Sequence, residues 1–213
     1  VGVRCCNNIF YADIILANTD VFFVYNKLLN KHPNYKTILS QERSTSALIF
    51  YWGIKKQFPD LDLHNILFSE NYKDEFNDLT NKNMVPKDPT VYINITSKYN
   101  KTDAPTSSEN WFVMINVPSS HNLDWQEVIV ESRNKIINKI NDYLNTDIQE
   151  FIEFEDILDP IKIENQTGSY KGSLYGTASN KKTSAFFRHP NFSYKIKNLY
   201  FCGGSVHPGG GIP

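Results

Sequence analysis

The glycine-rich end of the chain holds the residues whose types and spacing could do chemistry. An apolar run at 199–202 (LYFC), typical of a buried strand, leads into Gly203 and Gly204. Three consecutive glycines follow at 209–211. Glycine has no Cβ, so its backbone can approach a ligand closely and adopt a positive φ. This arrangement is compatible with a cofactor or anion site, but a glycine-rich surface loop explains the glycines equally well.

Two further residues of this segment add chemistry. Pro213 suits the first turn of a helix, and the N-terminus of such a helix would present free N–H groups and a partial positive charge to an anion. His207 is the one ionisable side chain in the segment and could take or relay a proton. The alternative is a structural histidine whose ring bonds a backbone carbonyl and fixes the loop.

Composition and charge exclude several classes of protein. Hydrophobic residues make up 40% of the chain, and the net charge is −1. The chain can therefore form a core, and it carries no basic surface for nucleic acid or anionic lipid. The three cysteines are an odd number and two of them, Cys5 and Cys6, are adjacent. We therefore predict neither a disulfide framework nor a metal site, and a reducing cytosol is the simplest setting. No apolar stretch reaches the roughly 18 residues that a transmembrane helix needs.

The start of the chain predicts one unit of an α/β layer. Residues 12–17 (ADIILA) form a nearly continuous apolar run, as in a strand buried on both faces. The next three residues, 18–20 (NTD), offer N-cap chemistry, and apolar residues at helical spacing follow from Val21 to Leu29. Strand, tight turn and helix in succession are typical of an α/β fold.

The middle of the chain predicts an antiparallel sheet. Three segments are rich in β-branched and aromatic residues and have no helix between them: 45–55 (TSALIFYWGIK), 91–96 (VYINIT) and 111–117 (WFVMINV). Strands that follow one another in this way usually pair antiparallel. The fold class is therefore α/β with an α+β insert, in which a mainly antiparallel sheet lies within the α/β part.

The second half of the chain predicts one long helix and two strands. Asp124 and Glu127 have capping-box spacing, and apolar residues then recur with a period of 3.6 to about Asn145. Residues 151–158 alternate like a strand, and residues 196–202 lead as a strand into the glycine-rich end. The polar, glycine-bearing stretch at 168–184 is predicted to be a loop.

The glycine-rich end resembles the C-terminal motif of carotenoid desaturases, the phytoene dehydrogenase family. In that family a strand ending in Gly-Gly precedes Thr/Ser-x-His-Pro-Gly-Gly-Gly-Ile-Pro. The matching residues are Gly203, Gly204, Ser205, His207, Pro208, Gly209, Gly210, Gly211, Ile212 and Pro213. Further segments resemble the family in the same order, at 46–53, 64–66, 68–70, 88–92, 109–112, 175–176 and 188–191. The Phe-Tyr-Trp-Gly form at 50–53 is most similar to the hydroxycarotenoid 3,4-desaturase branch.

The resemblance implies the C-terminal part of a flavoenzyme. Its cofactor would be FAD, held in a Rossmann-like domain that is incomplete in this chain. Residues 1–30 and 166–213 would belong to that FAD-binding domain, and residues 31–165 would form a substrate-binding domain with a mainly antiparallel sheet. The reaction would introduce a C=C bond into a carotenoid by hydride transfer to the flavin N5 and loss of a proton from the neighbouring carbon.

The resemblance also assigns residue roles. His207 would be the catalytic candidate, and Phe50, Tyr51 and Trp52 would bind substrate, although ordinary core packing of their strand is as good an explanation. The residues expected to bind the cofactor are Gly203, Gly204, Ser205, His207, Pro208, Gly209, Gly210, Gly211 and Ile212. Arg188 would hold either the pyrophosphate or the loop, and His64 is expected to be a core or loop histidine.

The chain departs from the family at one point. The G-x-G-x-x-G fingerprint that seats the FAD pyrophosphate is absent from the 213 residues, so we expect this chain alone neither to hold FAD nor to desaturate. The resemblance implies a cytoplasmic enzyme that is peripheral to a membrane. Two alternatives stay open at this point: a carotenoid isomerase or other amine-oxidase-like flavoprotein, and a non-enzymatic carotenoid- or lipid-binding module.

Overall fold

The chain folds into two compact units. The computed structural model describes residues 2–30, 32, 34–178 and 188–210. One unit contains Val1–Ser44 and Ile163–Pro213, and the other contains Thr45–Lys162. Each unit has its own hydrophobic core. The assignment of an FAD-binding role to the first unit and of a substrate-binding role to the second stays a prediction.

The first unit begins with short elements. They are β1 (Gly2–Cys5), β2 (Asn8–Tyr11), β3 (Ile15–Ala17), α1 (Val21–Phe23) and α2 (Asn34–Leu39). β1 and β2 pair as an antiparallel hairpin that the sequence did not predict. α1 continues into a π-helical segment, Val24–Leu28. The predicted succession of strand, turn and helix is confirmed, because β3 ends at Ala17 and Asp20 is the N-cap of α1.

The second unit contains most of the regular structure. Its elements are β4 (Ser46–Ile54), β5 (His64–Leu67), α3 (Tyr72–Thr80), β6 (Val91–Asn94), β7 (Glu109–Val117), α4 (Trp125–Leu144) and β8 (Ile152–Leu158). They are followed by α5 (Pro160–Thr167), which runs into the first unit, and by β9 (Leu199–Phe201). Short 3-10 helices occur at Thr96–Lys98, Lys101–Asp103, Ile148–Phe151 and Tyr170–Gly172.

Five strands of the second unit form the predicted antiparallel sheet. Their order is β5-β6-β7-β4-β8, and every neighbouring pair is antiparallel. β7 was predicted as a strand, and its residues alternate between buried and half-buried. One face of the sheet is covered by α4, whose Ile136 and Ile140 are fully buried in the same core as Phe50 and Trp111. Burial of each such side chain contributes roughly 1.5–3 kcal/mol to stability.

The long helix begins and ends where its sequence indicated. Asp124 Oδ1 accepts hydrogen bonds from the backbone N–H groups of Gln126 (3.0 Å) and Glu127 (3.4 Å) and so caps α4. Asn145 terminates the helix in the left-handed conformation, with φ 48°. Asparagine tolerates this region better than most residues. The capping interactions therefore account for both boundaries of α4.

The structure also contains elements that the sequence did not predict. β5 is a four-residue edge strand, too short to show a convincing alternation. α3 is capped by Asn71, and only Glu75 and Leu79 are buried in it. Glu75 accepts hydrogen bonds from the N–H and hydroxyl of Thr90, at 2.9 and 2.6 Å. A buried polar contact of this kind leaves no hydrophobic pattern in the sequence.

The described residues form neither a membrane-spanning helix nor a cluster of metal ligands. None of their helices combines the length and the apolar character that crossing a bilayer requires. Within the same residues, no group of three or more histidine, cysteine, aspartate or glutamate side chains is arranged to hold a metal ion.

Candidate functional site

Two parallel strands bring together the segments that carry the site. β3 and β9 pair in parallel, with Ile15 opposite Leu199 and Ala17 opposite Phe201. Both strands therefore end at the same edge of the pair. Ligands of open α/β sheets bind outside the carboxyl ends of the strands. The residues that follow β3 and β9 are therefore the first place to look for a ligand site.

The segment after β3 is fixed by capping interactions. Asp20 Oδ1 accepts a hydrogen bond of 2.8 Å from the N–H of Phe22. The hydroxyl of Ser205, which follows β9, accepts one of 3.1 Å from the N–H of Val21. The two segments are thus joined through the first turn of α1, and the buried side chains of Asp20 and Ser205 are held in place.

A polar cavity lies at this edge. Its volume is about 180 Å³. It is lined by Asn18, Thr19, Asp20, Thr167, Ser169, Ser173, Leu174, Gly176, Cys202, Gly203, Gly204 and Ser205. Ordinary ligand pockets measure roughly 300–1,000 Å³. The cavity is therefore smaller than an ordinary ligand pocket, and its hydroxyl-rich lining suits a polar group.

A buried ion pair supports the wall of the cavity. Arg43 Nη2 lies 2.5 Å from Asp20 Oδ2, and the two side chains are only 6% and 3% exposed. The guanidinium also donates to the hydroxyl of Ser173, at 3.3 Å from Nε and 3.1 Å from Nη2. Among the described residues, Arg43 Nη1 is buried without a hydrogen-bond partner. Arg43 thus links two cavity-lining residues from a position that the sequence did not single out.

Arg188 holds the glycine-rich loop. Its Nη1 donates hydrogen bonds of 2.8 Å to the carbonyls of Tyr175 and Gly204. Burial lowers the pKa of Arg188 from its ordinary value, and the positive charge of Arg43 lowers it further. Of the two roles considered for Arg188 from sequence, these contacts favour holding the loop.

Two cavity glycines occupy positions that need glycine. Gly176 has φ 68°, and a Cβ there would lie 2.7 Å from Ser205 Cα. Gly203 has φ 102°, and a Cβ there would lie 3.0 Å from Asn18 Oδ1. Side chains rarely adopt these φ values. The absence of a side chain at Gly176 and Gly203 therefore lets the loops pack closely around the cavity.

The structure divides the residues that were predicted to bind a cofactor. Gly203, Gly204 and Ser205 line the cavity. The next residues of the motif, His207, Pro208, Gly209 and Gly210, do not. The last residues of the prediction, Gly211 and Ile212, lie outside the described residues, as does Pro213. The cofactor-binding role stays a prediction for all of them.

His207 is held by its backbone and not by its ring. Its N–H donates to the carbonyl of His189 at 2.9 Å, and its carbonyl accepts from Asn191 Nδ2 at 2.9 Å. The side chain is exposed, and no hydrogen bond of its ring occurs within the described residues. The ring therefore bonds no carbonyl of the described residues, unlike in the structural alternative, and a catalytic role stays a prediction.

A second histidine of the first unit, His189, is half-buried. Tyr25 Oη lies 2.8 Å from His189 Nε2, and His189 Nδ1 lies 2.7 Å from the carbonyl of Pro190. A carbonyl can only accept, so Nδ1 carries the proton and Nε2 accepts from the tyrosine. Burial lowers the pKa of His189, although the hydrogen bond to Pro190 opposes this shift.

The three predicted substrate residues do not share a face. Phe50 and Trp52 are 0% and 2% exposed and lie in the core of the second unit. The indole N–H of Trp52 donates to Glu155 Oε2 at 2.5 Å. Tyr51 points to the opposite face and is 38% exposed. The core-packing alternative thus describes Phe50 and Trp52, and Tyr51 is the one of the three that a ligand can reach in this unit.

Tyr51 belongs to a surface that we call the open face. The open face is the side of the five-stranded sheet opposite the core. Its exposed and half-buried apolar and aromatic members are Tyr51, Ile66, Tyr92, Phe112, Met114 and Phe154. Ile66 is 51% and Phe154 62% exposed. Exposed apolar surface of this kind commonly marks a ligand or partner site.

Several cavity residues were missed from sequence. The stretch at 168–184 was predicted only as a loop, and it contains Ser169, Ser173 and Leu174. Thr167 lies just before this loop. Arg43 lies in a polar stretch without periodicity. The Tyr175-Gly176 pair was the one available signal, because it was among the segments that resembled the family.

The chain is similar to enzymes that act on carotenoids. It is 57% identical over 202 residues to a 1-hydroxycarotenoid 3,4-desaturase of Flavobacterium sp. (strain P99-3), covering 95% of this chain and 41% of that protein. It is 34% identical over 216 residues to a 4,4'-diaponeurosporene oxygenase of Staphylococcus aureus (strain MSSA476), covering 100% and 44%. The chain thus spans about two fifths of the length of these relatives.

No protein-family model matches the chain. Among solved structures, it is similar to an oxidoreductase from Methanosarcina mazei, with a TM-score of 0.53 and 11% identity, over 94% of this chain and 40% of that one. At this identity the likeness concerns the fold alone. The mixed α/β fold with its antiparallel sheet therefore has a counterpart of known structure.

Proposed function

We propose, because the chain belongs to the carotenoid desaturase family, that it forms part of an FAD-dependent enzyme that introduces a C=C bond into a carotenoid. One observation carries this proposal. In a chain 57% identical to a desaturase, the first three residues of the glycine motif line a polar cavity at the carboxyl ends of two parallel strands. The 57% identity to a desaturase against 34% to an oxygenase favours desaturation over oxygen insertion.

The cavity fits a polar portion of FAD. Gly203 and Gly204 leave the backbone bare, and Ser205 adds a hydroxyl. Thr19 and Ser169 supply further hydroxyls from the facing segments. We propose that these five residues hold the cofactor, together with His207, Pro208, Gly209, Gly210, Gly211 and Ile212, which the family motif adds.

The chain's own groups would position the cofactor and balance its charge. FAD, when bound, supplies the hydride acceptor that desaturation requires. Asp20 neutralises Arg43 beside the cavity, so this buried cation is not left without a counter-ion in the wall of the site. Arg188 fixes the glycine loop through two carbonyls. His207, exposed on that loop, is proposed to accept the proton that the neighbouring substrate carbon loses.

The open face is proposed as the surface that contacts the polyene. Its aromatic rings pack edge to face, with centroids 5.6 Å apart for Tyr51 and Phe112. Apolar and aromatic side chains suit a long hydrocarbon, because binding removes apolar surface from water. Tyr51 thus keeps its proposed role as a substrate contact, whereas Phe50 and Trp52 support it from the core. The second unit would then serve as the substrate-binding unit.

The proposed location follows from the substrate. A carotenoid is dissolved in lipid, so its enzyme has to reach a membrane surface. We place the protein in the cytoplasm and at the periphery of a membrane. Sedimentation of the full-length protein with liposomes would test this: recovery in the vesicle fraction supports it, and recovery in the supernatant at every lipid concentration opposes it.

Product analysis separates this function from its rivals. The full-length protein, supplied with FAD and a 1-hydroxylated carotenoid, should yield a product that has lost two hydrogens. Gain of an oxygen atom would indicate an oxygenase, and a product of unchanged mass with altered geometry would indicate an isomerase. Tight carotenoid binding without any conversion would indicate a binding module.

The cofactor site has its own test with a matched pair of variants. Thr19→Val removes a hydroxyl that lines the cavity, and Thr177→Val removes one that bonds Gln41 at 2.7 Å and does not line it. Loss of one hydrogen bond of about 1 kcal/mol should raise the FAD Kd roughly fivefold in Thr19→Val. The Thr177→Val protein should keep its affinity. Equal affinities for the two variants would contradict this site, and flavin fluorescence provides the measurement.

A further inference from the structure

A polar corner lies at one end of the open face. His64 on β5 and Tyr92 and Asn94 on β6 lie on the same side of the sheet, since His64 is opposite Asn94 and Ile66 is opposite Tyr92. His64 Nδ1 lies 2.8 Å from Tyr92 Oη and 3.2 Å from Asn94 Nδ2. These three side chains are the polar corner.

The hydrogen bonds indicate the tautomer of His64. Asn94 Nδ2 also lies 2.9 Å from the carbonyl of Leu63, which can only accept. The Asn94 nitrogen is therefore the amide donor, and it faces His64 Nδ1 as a donor too. An Nδ1 that accepts from these neighbours carries no hydrogen, so the ring hydrogen is placed on Nε2.

The corner consequently has hydrogen-bonding capacity left over. His64 is exposed, and its Nε2–H has no partner among the described residues. Tyr92 donates its proton to Nδ1, so the lone pairs of its oxygen remain able to accept. The corner thus offers one donor and one acceptor, which is what a hydroxyl group, itself both donor and acceptor, requires.

A row of aromatic rings runs from this corner along the open face, which also carries the charged side chain of Asp156 opposite Tyr51 on β8. Tyr92 packs edge to face on Phe112 with centroids 6.2 Å apart, and Phe112 packs on Tyr51 at 5.6 Å. These rings follow neighbouring strands in the order β6, β7 and β4. With strands roughly 4.8 Å apart, the row from β5 to β4 extends about 14 Å. A ligand that matches this surface is a long hydrocarbon with a hydroxyl near one end.

We propose that the polar corner binds the terminal hydroxyl of the carotenoid, with His64 Nε2–H donating to it and Tyr92 Oη accepting from it. This inference rests on the proposed function, and it accords with the relative at 57% identity, which is a 1-hydroxycarotenoid 3,4-desaturase. His64 and Tyr92 are positioning residues that select and orient the hydroxylated substrate. Asn94 orients His64 by fixing its tautomer.

The rival explanation is that the corner only joins the edge strand β5 to β6. Both explanations predict that removing these groups affects the protein. They differ in which ligand is affected. A structural role would weaken binding of every carotenoid equally, whereas recognition of a hydroxyl affects only the ligand that carries one.

The test uses two ligands on the full-length protein. One is a 1-hydroxylated acyclic carotenoid, and the other has the same carbon skeleton without the hydroxyl. Their Kd values are measured by quenching of tryptophan fluorescence, for the parent protein and for His64→Phe, Tyr92→Phe and Tyr99→Phe. Tyr99 lies in the same unit, is 70% exposed and is not one of the hydrogen-bond partners of the polar corner. Tyr99→Phe is therefore the matched control.

The parent protein should prefer the hydroxylated ligand. His64→Phe and Tyr92→Phe should each raise the Kd for the hydroxylated ligand about tenfold and leave the Kd for the unhydroxylated ligand unchanged. The ratio of the unhydroxylated to the hydroxylated Kd should therefore fall about tenfold. Tyr99→Phe should leave the ratio as it is. An unchanged ratio in both corner variants, or equal weakening of both ligands, would overturn the inference. If the parent protein binds neither carotenoid, the inference falls as well.

Desaturation of the same two carotenoids is recorded in parallel and separates this inference from the proposed function. Conversion by the parent protein with an unaltered Kd ratio in the variants rejects the polar corner and leaves the desaturase in place. Selective binding without conversion rejects the desaturase and retains the corner as a recognition site.

Discussion

Asp20 Oδ2 lies 2.5 Å from Arg43 Nη2 in an ion pair whose side chains are 3% and 6% exposed. The same carboxylate caps α1 through the N–H of Phe22, and the same guanidinium bonds Ser173. One pair of residues thus joins β3, α1 and the loop before β9, which together surround the cavity. Its removal should therefore affect the whole first unit.

Replacement of Asp20 by Asn should destabilise the first unit strongly. Asparagine is also a good N-cap, so this change keeps the cap and removes the charge. Arg43 would be left buried without a counter-ion, which typically costs about 3–5 kcal/mol. Denaturant unfolding of Asp20→Asn and of the parent chain gives the difference.

Asp78→Asn is the matched control for that change. Asp78 pairs with Lys82 one turn along α3, and the lysine side chain is 54% exposed. The Asp78 side chain is 13% exposed, but its partner lies largely in solvent, so the pair should add much less to stability than a fully buried one. Asp78→Asn should therefore shift the unfolding transition far less than Asp20→Asn. Similar shifts for both variants would contradict the importance assigned to the buried pair.

The loops around the cavity should tolerate a side chain at Gly204 but not at Gly176. In Gly176→Ala the new Cβ would lie 2.7 Å from Ser205 Cα at φ 68°, which should destabilise the chain by about 2–4 kcal/mol. In Gly204→Ala the nearest neighbours would be 3.5 Å away, an ordinary contact, so the change should stay within about 0.5 kcal/mol. Thermal unfolding of both variants measures the two losses of stability. A larger loss in Gly204→Ala than in Gly176→Ala would refute the packing described.

Adjacent residues of β4 should respond differently to truncation. Phe50→Ala removes a fully buried ring and should destabilise the second unit by about 3–5 kcal/mol. Tyr51→Ala removes a ring from the open face and should cost less than about 1 kcal/mol while weakening carotenoid binding. Denaturation curves and carotenoid titrations of the two variants test the split. A Tyr51→Ala protein that binds carotenoid as tightly as the parent would argue against the open face as the substrate surface.

His189 should make the first unit less stable in acid. Its folded-state pKa is lowered by burial, whereas the unfolded chain should show the ordinary value of about 6.5. The unfolded state therefore binds the proton more readily. The stability contribution is complete above about pH 6.5, decreases as the pH falls below that value, and levels off below the folded pKa.

The variant that isolates this effect is His189→Gln, whose amide oxygen can still accept from Tyr25. Its free energy of unfolding should depend less on pH between about 5 and 7 than that of the parent chain. Denaturant unfolding at several pH values gives both slopes. Identical slopes would show that His189 does not protonate on unfolding in this range.

Local patterns were sufficient to predict several elements. The β-branched and aromatic run of β7, the apolar run of β3 and the capping spacing before α4 each involve residues close in sequence, and the structure confirms these three elements. β4 was predicted as a strand, but its face was not, because Ala47 and Ile49 are buried on the side opposite Phe50. Phe50 and Tyr51 were therefore indistinguishable from sequence.

Contacts between distant residues account for what the sequence did not predict. Arg43 reaches Asp20 and Ser173 across 23 and 130 positions, and no spacing rule connects them. The polar corner likewise depends on the pairing of β5 with β6, which places His64 beside Tyr92. From sequence, His64 was expected to be only a core or loop histidine. Sheet register, which sequence patterns leave open, decides its surroundings.

The central claim is that this chain serves a flavin-dependent carotenoid desaturation. A single-turnover reaction tests it most directly: the full-length protein with bound FAD is mixed anaerobically with a 1-hydroxylated carotenoid, while flavin absorbance and product mass are followed together. One flavin should be reduced for each carotenoid that loses two hydrogens. Loss of the hydrogens without bleaching of the flavin, or an oxidised flavin beside an unchanged carotenoid, would contradict it.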